Sequence, residues 1–77
     1  MIRPYDEIVD FIAAGPSPLA VSQFEASQAT KDLVADLIYK EKTEGLTSKE
    51  TAMLDQFMLL EHVMRLAKAR ARMNLQQ

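Results

Sequence analysis

The sequence predicts an all-α fold: an antiparallel helical hairpin with a long C-terminal helix, and a short N-terminal helix packed across it. Three observations support this prediction. Apolar residues recur at helical spacing, residues that start and stop helices divide the chain, and only a few residues separate the two longest helices. The chain has 77 residues, of which 48% are apolar and 26% charged. These values fit one small globular domain over residues 1–77.

The first predicted helix covers about residues 4–14. Pro4 suits the first turn of a helix, and Gly15 suits the position just past its end. The apolar residues with helical spacing in this segment are Ile8, Phe11 and Ile12. Because a helix of about three turns is marginal alone, it must pack against the rest of the chain.

The connection over residues 15–27 begins with a Gly-Pro-Ser-Pro run that breaks the helix. Ser17 followed by Pro18 can start one short helical turn. The apolar residues expected to anchor this connection to the core are Leu19, Val21 and Phe24.

The second predicted helix covers residues 28–44. Ser27 is a favourable N-cap, and Gly45 is a favourable residue just after the C-terminus. The apolar stripe of this helix consists of Leu33, Val34, Leu37 and Ile38.

The third predicted helix covers residues 48–73. Thr47 and Glu50 form the sequence pattern of a capping box, in which each side chain bonds to the other residue's backbone. The helix should be about 39 Å long and its predicted partner about 25 Å, at a rise of 1.5 Å per residue. Its last turns, Arg65 to Met73, should therefore project beyond the hairpin.

Apolar residues of the third predicted helix occupy much of its circumference. The predicted core face consists of Met53, Phe57, Leu60, Val63, Met64, Ala67 and Ala71, with Leu54 at its edge. Further large apolar residues lie outside that face, which predicts that a second surface covers them. The candidate interface residues are Met58, Leu59, His62, Leu66 and Met73.

Charge is distributed unevenly along the chain. Residues 1–55 contain five basic and ten acidic residues, whereas residues 56–77 contain four basic residues and one acidic residue. Arg65, Lys68 and Arg72 form a short basic stripe on the third helix, which could contact phosphates. The plainer interpretation is that these cations complement the negative end of the helix dipole. The acidic start of the helix and the net charge of −2 argue against a DNA recognition helix.

The residues needed for catalysis or cofactor binding do not form recognisable patterns. There is no cysteine, His62 has no carboxylate or histidine at ligand spacing, and the two glycines are isolated. We therefore expect no enzyme activity, no cofactor and no metal. The longest uncharged run, residues 11–24, is broken by glycine and prolines, and no leader segment is recognisable. These features predict a cytoplasmic protein.

Four segments of the chain, residues 8–15, 31–38, 41–47 and 60–72, resemble a family of short, uncharacterised helical proteins from bacteria, mainly cyanobacteria. Some of these proteins are regarded as antitoxin-like partners of a neighbouring nuclease. The resemblance implies an antitoxin-like role and assigns no catalytic residue.

Together, the sequence predicts a non-enzymatic protein-interaction module that forms a homo-oligomer, with a dimer favoured, or binds another protein. The alternative is a small nucleic-acid-binding regulator that uses the basic end of the third helix.

Overall fold

A computed structural model describes residues 3–76, and this part of the chain consists of four helices. Their bounds are Asp6–Ala13 (α1), Pro18–Ser22 (α2), Gln28–Thr43 (α3) and Ser48–Leu75 (α4). Residues 3–76 contain no β-strand, which confirms the all-α class. The predicted bounds 4–14, 28–44 and 48–73 lie within two residues of α1, α3 and α4.

Side-chain caps fix the starts of α3 and α4. The Ser27 hydroxyl accepts a hydrogen bond from the Thr30 N–H at 3.2 Å. The Thr47 hydroxyl accepts from the Glu50 N–H at 3.1 Å, and the Glu50 carboxylate accepts from the Thr47 N–H at 3.0 Å. These reciprocal bonds confirm the predicted capping box.

Glycine in a left-handed conformation follows both α1 and α3. Gly15 has a φ of 67° and Gly45 a φ of 83°. The Gly45 N–H donates to the Lys40 carbonyl at 2.9 Å, which satisfies an acceptor in the last turn of α3. Both glycines therefore end helices in the way the sequence predicts.

The short helix α2 lies within the connection between α1 and α3. Pro18 is its first residue, and the Ser17 hydroxyl caps it by accepting from the Ala20 N–H at 3.2 Å. Val21 and Phe24 are half-buried and pack against the core. The prediction that Leu19 is an anchor is wrong, because Leu19 is 53% exposed. Two residues span about 200° of a helix, so Leu19 and Val21 lie on opposite sides of α2.

The core lies where α1, α3 and α4 converge. Its buried apolar residues are Ile8, Val34, Leu37, Leu54, Phe57 and Met64. The rings of Phe11 and Phe24, whose centroids are 4.5 Å apart, pack beside this cluster. The closest helix packing of α4 is with α2, and α4 has fewer contacts with α1 and with α3.

The core face of α4 is narrower than the sequence predicts. The prediction that Val63 belongs to this face is wrong, because Val63 is 43% exposed, and Leu54, predicted at the edge, is buried. The reason is that the helices that cover α4 reach only one side of it, and Val63 lies beyond their limit. The α1 residue Ile12, expected on the packed face, is likewise 47% exposed.

Long as α4 is, neither it nor any other helix of residues 3–76 has the uninterrupted apolar length that crossing a bilayer requires.

Candidate interaction surface

The most prominent surface feature of α4 is an apolar face that the other helices leave uncovered. Leu59, Leu66 and Met73 are 58%, 60% and 57% exposed. His62 and Ala69 are exposed between them. We call these five residues, Leu59, His62, Leu66, Ala69 and Met73, the outer face of α4.

The spacing of the outer face alternates between three and four residues along more than two heptads. At about 100° per residue, its five positions fall within an arc of about 80°. This is the spacing of a and d positions in a coiled coil, where one helix meets another along a narrow seam. Four of the five residues are candidate interface residues predicted from the sequence. Ala69 is not among them, and the alternating spacing is the signal that joins all five.

Two kinds of residue border the outer face. Met58 and Val63 extend the apolar surface, at 44% and 43% exposure. Arg70 and Arg72 are exposed beside its C-terminal end, and Asp55 is exposed one step before Leu59 in the same seam. All five candidate interface residues of the sequence analysis are therefore accessible on α4, with charged groups at both ends.

The opposite side of α4 is buried in the core. Leu54, Phe57, Met64 and Ala71 are between 4% and 6% exposed. This side packs against the other helices of the chain, so the outer face remains accessible while the fold is intact.

The three residues of the predicted basic stripe have different environments. Arg65 forms an ion pair with Glu61 one turn earlier in α4. Lys68 is half-buried, and its ammonium lies 6.0 Å from the centroid of the Phe24 ring, within range of a cation–π interaction. Arg72 is exposed beside the outer face. The structure therefore engages two of the three cations in contacts within the chain.

A groove of about 410 Å³ opens between α3 and α4 on another side of the molecule. Its floor is apolar and includes Val34, Phe57 and Met64. Its rim carries Arg65 and Lys68 together with Lys31, Glu25 and Glu61. The Lys31 ammonium is 2.5 Å from a Glu25 carboxylate oxygen, so this part of the rim is internally neutralised.

Electrostatic contacts at the α3–α4 turn are distant from the outer face. Lys40 and Glu50 form an ion pair of 2.9 Å. The pKa of Glu50 is lowered, first by the hydrogen bond from the Thr47 backbone N–H and then by the Lys40 side chain. The pKa of Lys40 is raised, mainly by its hydrogen bond to Glu50. These contacts stabilise the start of α4.

Side chains that could bind a metal ion are scattered over the part of the chain that the structure describes. Within residues 3–76, no three or more histidine, aspartate or glutamate side chains come together in a group able to hold a metal ion. Every buried side-chain nitrogen or oxygen atom recorded there has a hydrogen-bond partner. The uncovered outer face of α4 is therefore the feature of this region that most needs a functional explanation.

Comparison with known proteins finds no family model, no curated protein and no solved structure that matches the chain significantly. Residues 3–76 form an all-α protein with a long helix that is apolar on two sides.

Proposed function

We propose that this protein is a non-enzymatic protein-interaction module that self-associates through the outer face of α4. The observation that carries the proposal is a row of exposed residues at coiled-coil spacing, in which His62 is the one residue that is not apolar. Contiguous apolar surface of this kind marks interaction sites more often than scattered single residues do. Burial of such surface stabilises a complex by about 25 cal/mol per Å² before the entropic cost of association is subtracted.

The size of the chain supports self-association. A domain of 77 residues buries a modest fraction of its surface, and this one has no cysteine with which to form a disulfide. Small domains of this kind commonly gain stability from oligomerisation. A second copy would cover the outer face without disturbing the core on the other side of α4.

The proposal includes the arrangement of α3 and α4 as an antiparallel hairpin that presents α4. The short turn between Thr43 and Ser48 favours this arrangement, and so does the Lys40–Glu50 ion pair beside it. Because α4 has 28 residues and α3 has 16, the C-terminal part of α4 would extend past its partner helix. Leu66 and Met73 belong to that part.

The nucleic-acid-binding alternative receives less support. It requires Arg65, Lys68 and Arg72 to be available for phosphates, and the first two are engaged with Glu61 and Phe24. An antiparallel hairpin that associates through apolar residues is equally compatible with an antitoxin-like, cytoplasmic partner protein. That role remains a prediction from resemblance.

Light scattering over a range of concentrations, with matched leucine variants, tests the proposal. We expect the unaltered protein to form a dimer and Leu66→Glu to shift it to a monomer. The control is Leu19→Glu, which places the same change at a leucine of similar exposure on α2. Circular dichroism should show unchanged helix content in both variants. A protein that is monomeric at all concentrations, or equal dissociation by both variants, would refute the proposal.

A further inference from the structure

We infer that the second copy docks on the outer face in the antiparallel orientation, with Leu59 of one copy against Ala69 of the other. The inference rests on the proposed self-association and adds the orientation and the register. In this register His62 lies against Leu66 of the second copy, and the two-fold axis passes level with Met64. Large residues thus face small or medium ones across the seam, as packing of two helices requires.

The charges of α4 determine the orientation. In its first half, residues 48–61, Asp55 is exposed in the seam, whereas Glu50 and Glu61 form ion pairs within the chain with Lys40 and Arg65. Its second half, residues 62–75, contains four basic residues and no acid. Parallel pairing would place the two basic halves side by side, whereas antiparallel pairing places each basic half against the half that contains Asp55. Antiparallel pairing also opposes the two helix dipoles, which is electrostatically favourable.

The position of Asp55 determines the register. This exposed carboxylate occupies the seam one step before Leu59, where an apolar residue would otherwise be expected. In the proposed register Asp55 lies opposite Met73 of the second copy, between its Arg70 and Arg72. Both arginines border the outer face and are exposed. A shift by one heptad would place Asp55 against Leu66 and remove it from both arginines.

One like-charged pair arises at the two-fold axis, where Arg65 of each copy meets its equivalent. Each Arg65 already forms an ion pair with Glu61 of its own helix, so the two guanidinium groups meet as neutralised pairs. On the other edge of the seam, Val63 of each copy meets its equivalent and closes the interface with an apolar contact. Val63 is 43% exposed in the single chain and would be covered in the pair.

Cysteine cross-linking tests orientation and register, because the chain has no cysteine of its own. Leu59→Cys and Ala69→Cys are made as separate proteins, one of them carrying a size tag, and are mixed and oxidised in a glutathione buffer. A disulfide requires Cα atoms within about 7 Å. Antiparallel pairing therefore predicts a cross-linked heterodimer in the mixture and little cross-linking of either protein alone.

The other possible outcomes of this experiment separate the orientation, the register and the proposed self-association. Cross-linking of each variant with itself would show parallel pairing and refute the inference, while leaving self-association intact. A dimer by light scattering without any cross-link would refute the register. If the unaltered protein, which has no cysteine, is monomeric by light scattering at every concentration, the proposed function itself is refuted.

Charge reversal provides the second test. Asp55→Lys should raise the dimer dissociation constant about tenfold, because each lysine would face two arginines of the other copy. Adding Arg70→Glu and Arg72→Glu to the same chain should restore the affinity of the unaltered protein. Asp36→Lys is the control, since it makes the same change at an exposed position of α3. Failure of the triple variant to regain affinity would contradict the antiparallel register.

Discussion

The two sides of α4 are both apolar but have opposite environments. On the inner side, Phe57 and Met64 are 6% and 4% exposed and pack in the core. On the outer side, Leu66 and Met73 are 60% and 57% exposed. The presence of leucine and methionine does not distinguish the two sides, because both sides contain these residues. An apolar residue on a helix is therefore buried only where another helix of the chain is available to cover it.

Replacing one methionine on each side of α4 with alanine should give the largest difference in stability between the two sides. Met64→Ala should lower the free energy of unfolding by about 2–5 kcal/mol, because it leaves a cavity in the core. Met73→Ala should change it by less than about 0.5 kcal/mol in the monomer, because the site is exposed. Urea unfolding at concentrations where the protein is monomeric provides the measurement.

Raising the protein concentration sharpens this comparison. If the outer face forms the dimer, the effect of Met73→Ala on stability should grow with concentration, since association stabilises the folded state. The effect of Met64→Ala should be large at every concentration. Equal losses for both variants in the monomer would contradict the assignment of the two sides.

Removing the capping box should lower the free energy of unfolding by less than Met64→Ala does, and the loss should concern both sides of α4 equally. Thr47→Ala should lower the free energy of unfolding by about 1 kcal/mol, because the Glu50 N–H loses its acceptor. Thr47→Ser keeps the hydroxyl and serves as the control. The dissociation constant of the folded dimer should be the same in both variants, and a change confined to Thr47→Ala would show that the cap also shapes the outer face.

Acidification should lower the stability of the fold the least of these changes, and the loss should arise at the start of α4. The pKa of Glu50 is lowered by the Thr47 N–H and by Lys40, so its contribution to stability is complete above the unfolded pKa of about 4.3. That contribution is lost as the pH falls through the lower folded pKa. Glu50→Gln retains an acceptor for the cap but has no charge to titrate. Its melting temperature should therefore fall less steeply below pH 5 than that of the unaltered protein, and parallel curves would contradict this explanation.

Much of the helical pattern could be predicted because its signals are local. The Thr47–Glu50 capping box, the Ser27 cap and the left-handed glycines each depend on a few neighbouring residues. Four of the five outer-face residues were also identified, because they fall outside any single core face of α4. Local chemistry and helical periodicity together therefore identified the helices and the surface residues.

The remaining features depend on contacts between segments distant in sequence. The exposure of Val63 and Leu19 reflects how far α1, α2 and α3 extend around α4, which periodicity does not determine. The contact of Lys68 with the Phe24 ring joins α4 to the connection before α3 and could not be inferred from the basic stripe alone. Contacts within the chain therefore determine which candidate residues remain accessible to a partner.

The five-residue helix α2 has a consequence for the dynamics of the chain. A helix this short is not stable in isolation, so its hydrogen bonds persist only while Val21 and Phe24 remain docked against the core. Its closest packing is with α4. Amide exchange in α2 therefore measures the undocking of this segment from α4. Exchange in the middle of α4 measures unfolding of the whole domain.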